Sequence, residues 1–192
     1  MSDYKYQESF SAQYEVLYNY AERQYKANKI IAVLKDFLKG DLKKLKLLDI
    51  GSSTGIMTNL LSEHFSETIG IDIDEQGVKY SNENFKNEHL SFRIDDAMNL
   101  SFSDNSFDVV NCSHIYEHVP DSKKLMSEIY RVLRPGGVCF LAAGNRFTFM
   151  EAHYHLPLLS VIPKWMAHKY IKIFKRVDLY YETHLTYWGL KK

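Results

Sequence analysis

The segment Leu47-Leu48-Asp49-Ile50-Gly51-Ser52-Ser53-Thr54-Gly55 constrains the fold of this chain more than any other. An apolar run ends in an acid, a glycine turn follows, and a helical pattern begins at Ile56. That order predicts a strand, a tight loop and a helix N-terminus. Gly51 and Gly55 carry no Cβ, so backbone can approach a ligand closely. Exposed N–H groups at the helix start favour an anionic or carboxylate-bearing ligand. The dinucleotide fingerprint G-x-G-x-x-G is not met: counted from Gly51, its later glycines fall on Ser53 and Ile56. A dehydrogenase is therefore the third-ranked reading.

Downstream, apolar strand patterns alternate with helical ones from about residue 45 to 144, which predicts a parallel sheet. Glu67 to Asp74 reads as a second strand ending in acids. Asp72 lies about 20 residues past the glycine loop, the interval at which doubly wound folds place a ribose-binding acid. Asp74 is expected to cap the helix that starts near Glu75. Before Pro135 a helix should end, and Gly136-Gly137 should turn the chain into a strand from Val138 to Ala143. With 192 residues, one domain is expected. Its parts are a helical cap (1–40, closed by Gly40), a cofactor-binding core (41–145) and an aromatic, basic segment (146–192). Val16, Tyr20, Ile30, Val33, Leu34 and Phe37 give the cap a partial apolar stripe.

The spacing D-x-G-x-x-x-G resembles the first motif of the class I S-adenosylmethionine-dependent methyltransferases, usually D-x-G-x-G-x-G, with Ser53 at the middle glycine. Leu100 to Val110 resembles the family's polar turn into its fourth strand, and Ile129 to Gly137 is the strongest match. The resemblance implies an α/β, doubly wound, mostly parallel Rossmann-like sheet and S-adenosyl-L-methionine as cofactor. It implies a cofactor loop of Asp49, Gly51, Ser52, Ser53, Thr54 and Gly55. It makes Asp72 the ribose ligand, with Ile73 beside it. Asp96 would accept from the adenine amine and the Ala97 N–H would reach a ring nitrogen, with Asp95 as the competing acid. Asn111, on the fourth strand, completes the set. The implied activity is methyl transfer to a hydroxyl or other nucleophile of a small molecule, glycan or lipid-linked intermediate. The alternative is a non-catalytic module binding S-adenosylmethionine or S-adenosylhomocysteine, suggested by Ser53 and by the lack of the family's closing strand hairpin. Nothing after Asn145 reads as a strand pair. One sheet edge should then lie uncovered, an invitation to homodimerise.

Methyl transfer to a hydroxyl needs a base. His114 is the candidate base or substrate contact, and Asn145 is expected to face the acceptor with it, at the carboxyl ends of the fourth and fifth strands, where such sheets bind ligands. His114-Ile115-Tyr116-Glu117-His118 also spells the inverted zinc-peptidase pattern, but Pro120 leaves no room for the long helix it needs. Methyltransferases of ubiquinone biosynthesis carry E-x-x-E-H here and can hold a divalent cation. His114, Glu117 and His118 take the matching places, with His for the first Glu. The favoured reading is nonetheless no metal, with Glu117 and His118 satisfying neighbouring backbone groups.

Zero formal charge does not announce nucleic acid. Cys112 and Cys139 fall on core strands and read as buried reduced thiols of a cytoplasmic protein. The polar, tyrosine-rich start is unlike a signal peptide. No apolar run has the length of a membrane span. Pro163 should open a helix, with Lys164, His168, Lys172 and Lys175 on one face and Trp165, Met166, Tyr170, Ile173 and Phe174 on the other. A lid over the active site, with Trp165 or Tyr170 turned inward, is favoured over peripheral membrane contact through 157–176.

Overall fold

Leu47 and Leu48 are both fully buried although they point to opposite faces of a strand. A strand buried on both faces belongs at the centre of a parallel sheet. In the computed structural model, which describes residues 10–13, 15–151, 153–175 and 179–191, this is what they build. Strands β1 (Lys46–Ile50), β2 (Glu67–Asp72), β3 (Leu90–Ile94), β4 (Phe107–Ser113) and β5 (Leu133–Ala142) form one sheet in the order β3-β2-β1-β4-β5. Every pairing is parallel. The helices are α1 (Phe10–Gln13), α2 (Tyr20–Leu38), α3 (Ile56–Ser62), α4 (Glu75–Asn84), α5 (Ser122–Val132), α6 (Lys164–Lys175) and α7 (Tyr187–Leu190).

The strand period divides the core in two. Leu47 and Val109 pack with Ile30, Ile31 and Leu34 of α2 and Leu60 and Leu61 of α3. Their neighbours Leu48 and Val110 pack with Leu125, Ile129 and Val132 of α5. The doubly wound expectation holds. Among the described residues no strand follows β5, whose outer side is an open edge.

Asp74 caps α4 as expected, accepting from the Gln76 and Gly77 amides. Helix α5 ends at Val132, before Pro135. The chain then bulges through Gly136 (φ 82°) and regains register at Val138 opposite Val109. The α2 stripe differs from expectation. Ala27, Ile30, Ile31 and Leu34 face the core, whereas Tyr20, Val33 and Phe37 are exposed. Lys39, not Gly40, takes the left-handed position that ends α2. Cys112 and Cys139 are free thiols. No helix among the described residues is long and apolar enough to cross a membrane. Residues 1–9 and the side chains of Val16 and Lys175 lie outside the described residues.

Helix α6 does open after Pro163, but its inward face is not the aromatic one. Ala167 and Ile171 are its fully buried residues, packed with Leu156, Leu159 and Tyr180 in a small separate cluster that Tyr170 only borders. Trp165, Met166, Ile173 and Phe174 are exposed. Of the two residues expected to turn inward, Trp165 or Tyr170, Tyr170 packs against this cluster and Trp165 does not: a helix on a small satellite core needs few buried positions, and Ala167 and Ile171 fill them.

Candidate functional site

The glycine loop joins β1 to α3. Gly51 (φ 77°) and Gly55 (φ 73°) occupy left-handed backbone, and a Cβ on Gly51 would lie 2.0 Å from Ile115 Cδ1. Ser53 is left-handed too, at φ 50°, and carries strain that a glycine would not. The loop amides differ from expectation. Gly51 and Ser52 donate to the Ile71 carbonyl and Gly55 to that of Ser52. Ser53 N donates to Asp72 Oδ2 at 2.7 Å. These four amides fix the loop rather than face a ligand. The hydroxyls do the reverse: Ser52 Oγ and Ser53 Oγ are buried with no hydrogen-bond partner among the described residues. Thr54 Oγ1 donates to the Leu17 carbonyl.

Asp72 stands half-buried at the end of β2, next to Ile73. Burial pushes its carboxyl above the usual range, opposed by the Asp74 and Ser53 amides. Each oxygen accepts one amide and keeps a second lone pair, so two hydroxyls can still be received. Asp49 and Asn111 lie elsewhere than the resemblance implied. Both are fully buried neighbours across β1 and β4. Asp49 accepts from Thr58 Oγ1 and Asn111 Nδ2, each at 2.5 Å, and Asn111 Oδ1 accepts from Ser113. Their side chains brace the sheet beneath the loop.

Burial pushes Asp49 up to about 6, against the pull of its bonds with Thr58 and Asn111. The folded protein therefore holds a proton that the unfolded chain has released, so stability falls as pH rises from about 4 to about 6 and levels off above. The difference from the ordinary value of 3.8 corresponds to about 3 kcal/mol. Thermal unfolding of Asp49→Asn, followed across this window, should lose that component relative to the parent chain.

The two acids after β3 separate clearly. Asp95 is committed, Oδ1 to the Asp96 amide and Oδ2 to both the amide and hydroxyl of Ser101. Asp96 Oδ1 accepts from the Met98 amide, and its other oxygen accepts from no donor among the described residues. Ala97 beside it is buried. Asp96→Ala is expected to weaken S-adenosylmethionine and S-adenosylhomocysteine alike, and Asp95→Ala to lower thermal stability more than affinity. Calorimetric titration of both variants checks this.

His114 directly follows β4 in a left-handed conformation (φ 59°), its amide donating to the Ala142 carbonyl. Its side chain is 59% exposed, with Nδ1 3.4 Å from Oε1 of buried Glu117. Asn145, past β5, is exposed and its Oδ1 accepts from the Phe147 amide, which makes it a turn former. Shallow depressions around Ser66, Glu88 and Ser91 lie at the amino end of β3, away from these groups.

One constellation was not assembled from the sequence. Glu117, Glu151 and Glu182 are each at most 2% exposed and lie among His118, His153 and His184. His153 Nδ1 is 2.7 Å and His184 Nε2 3.6 Å from Glu151 Oε1. His118 Nδ1 is 3.9 Å from Glu182 Oε1, and the His118 and His153 rings meet edge to face at 4.9 Å. Burial, with His153 adding, pushes His118 down to about 4, so it is a neutral imidazole at pH 7. Burial raises Glu151, but bonds from His153, His184 and the Tyr154 amide hold it well below the carboxylate range. The Tyr116 hydroxyl ties this region together, donating to the Gly144 carbonyl and accepting from the Leu185 amide. The signal available was Glu151-x-His153 and Glu182-x-His184, two E-x-H pairs.

The N-terminal segment spans both halves of the site. Ser11 N donates to Asp74 Oδ2 at 2.6 Å, while the Phe10 ring lies 5.7 Å from that of His118.

A parallel sheet of this order, with a glycine loop after β1 and an acid ending β2, defines a nucleoside-cofactor-binding α/β domain. Residues 48–141, just under half of the chain, match the family model described as methyltransferase domain, which agrees with a class I S-adenosylmethionine-dependent methyltransferase. The ubiquinone biosynthesis O-methyltransferase of Coxiella burnetii is 25% identical over 146 residues, covering 72% of this chain and 61% of that protein. The chain thus spans about three-fifths of the length of that relative. An S-adenosylmethionine-dependent methyltransferase from Mesorhizobium loti shares the fold at a TM-score of 0.60 and 18% identity, over 79% of this chain and 72% of that one. Phosphoethanolamine N-methyltransferase 2 of Haemonchus contortus, solved in complex with S-adenosyl-L-methionine, is 30% identical over 59% of this chain and 27% of its own, with a TM-score of 0.54.

Proposed function

We propose that this chain binds S-adenosyl-L-methionine and transfers its methyl group to a hydroxyl of a small-molecule acceptor. The observation that carries the cofactor reading is the pairing of half-buried Asp72 with the neighbouring Ser52 and Ser53 hydroxyls, which have no partner among the described residues. Buried polar atoms without partners mark a place that a polar ligand completes. Asp72 receives the ribose hydroxyls, and Asp96 the adenine amine. When bound, the cofactor supplies an electrophilic methyl group. His114 takes the acceptor's proton: Glu117 sits at Nδ1, which leaves Nε2 to face the substrate. Asn145 stays with the acceptor side, through the turn it forms.

Calorimetric titration with S-adenosylmethionine and with NAD, followed by S-adenosylhomocysteine release on a panel of phenols and alcohols, tests this reading. Binding without release on any acceptor would favour the non-catalytic module instead.

The finer partner readings stand on the surface of α6 and β5. Trp165, Met166 and Ile173 are exposed, and Lys169 lies over the Trp165 ring at 5.7 Å. An outward face of Trp, Ile and Lys suits an anionic membrane surface better than closure over a crevice, and an acceptor carried on a lipid would fit that placement. Co-sedimentation with anionic vesicles is expected, and Trp165→Ser with Ile173→Ser should abolish it. No binding of the parent chain removes the membrane reading. The open β5 edge supports a homodimer, which sedimentation velocity detects.

A further inference from the structure

We propose that His118, His153 and Glu182 hold a first-row divalent transition-metal ion at the carboxyl ends of β4 and β5. Each offers one ligand atom, and the atoms lie within 4.8 Å of one another. The measured arm, His118 Nδ1 to Glu182 Oε1, is 3.9 Å. A tetrahedral ion bonded at about 2.0–2.2 Å holds its ligand atoms about 3.3 Å apart, so side-chain adjustments of at most about 1.5 Å close the set.

The surroundings are those of a coordination site. Glu151 Oε1 holds His153 Nδ1 at 2.7 Å, which leaves Nε2 for the ion; a carboxylate behind a ligating imidazole fixes its tautomer and orientation. Glu151 is itself fixed, since its Oε2 accepts from the His153 and Tyr154 amides. Around the set, Glu117 Oε2, His184 Nδ1 and the Tyr180 hydroxyl are buried with no hydrogen-bond partner among the described residues. Burying carboxylates costs several kcal/mol each unless charge of the opposite sign is near. The histidines beside Glu151 and Glu182 offset part of this cost, and a dication would offset more.

This is not the set suggested by the H-x-x-E-H spelling. His114 is not part of this set; it is exposed, with Nδ1 beside Glu117. Of the proposed ligands, His153 and Glu182 lie beyond the residues that match the family model. Two imidazoles and one carboxylate select zinc, cobalt, iron or manganese over magnesium or calcium. Three protein ligands leave a position open. An acceptor hydroxyl bound there would lose its proton more readily. That use rests on the acceptor reading above; the binding of the ion does not.

The test is metal binding to the full chain. After treatment with a chelator, the protein is titrated with Co2+ and its visible d–d absorption recorded, with Zn2+ as competitor. S-adenosylmethionine affinity and thermal unfolding are measured on the same samples. A stoichiometric Co2+ band that Zn2+ displaces is expected. His153→Ala and Glu182→Gln should lose the band, Glu151→Gln should weaken Co2+ affinity about 10–100-fold, and His114→Ala should leave it unchanged. All should still bind S-adenosylmethionine. Two results overturn the proposal: no Co2+ band in a parent chain that binds S-adenosylmethionine, or a band that survives both His153→Ala and Glu182→Gln. Should either variant fail to fold, the Glu151→Gln affinity and the metal content of the parent chain by mass spectrometry decide.

Discussion

His114→Ala is expected to slow methyl transfer to a hydroxyl acceptor by about 10²–10⁴-fold, the usual contribution of a positioned base. Cofactor affinity should not change, because His114 follows β4 while Asp72 ends β2. Two features of the structure set this expectation. Glu117 sits 3.4 Å from Nδ1, so the outward Nε2 is the basic atom. The residue also keeps a left-handed backbone at φ 59°, a conformation that costs energy outside glycine and that persists at sites where direction matters. Single-turnover rates separate this from a loss of acceptor affinity. A variant as fast as the parent on a hydroxyl acceptor means that His114 is not the base.

Asp72→Asn should lower S-adenosylmethionine affinity about 10- to 150-fold, the equivalent of about 1.5–3 kcal/mol for a hydrogen bond to a charged group. The amide cannot copy the carboxylate here. Both Asp72 oxygens already accept backbone amides, from Ser53 and Asp74, so the new NH2 group must face a donor. Part of the loss will therefore be loop order. Thermal unfolding without ligand measures that part, and titration measures the rest. Unchanged affinity in a folded variant would take Asp72 out of the site.

The parts legible in the sequence are those whose cause is local. The glycine loop, the Asp74 cap and the stop before Pro135 each depend on a few adjacent residues. The order of alternating elements then fixed a parallel sheet. Less legible were contacts made at a distance. Asp49 and Asn111 read as ligand contacts, yet strand register sets them side by side inside the sheet. The loop amides read as free donors until Ile71 and Asp72 are placed beside them. Helix α6 misled because its longest apolar residues are on its outer face, while Ala167 and Ile171 make the contact. The His–Glu cluster joins the turn after β4 to two segments that carry no periodic pattern, so only the folded chain brings it together.

Asp74 shows how a common substitution rule can fail. Asp, Asn and Ser are near equivalents as helix caps, and a propensity scale would score exchanges among them as neutral. Here one oxygen caps α4 through Gln76 and Gly77, and the other receives the Ser11 amide of α1. Serine has one oxygen for both tasks, and asparagine has one acceptor and an NH2 group that repels the second donor. Either change keeps the cap and releases the N-terminal segment. Tolerance at this position is thus set by residues far away in sequence, and the effects of changes in α1 and at Asp74 will not add.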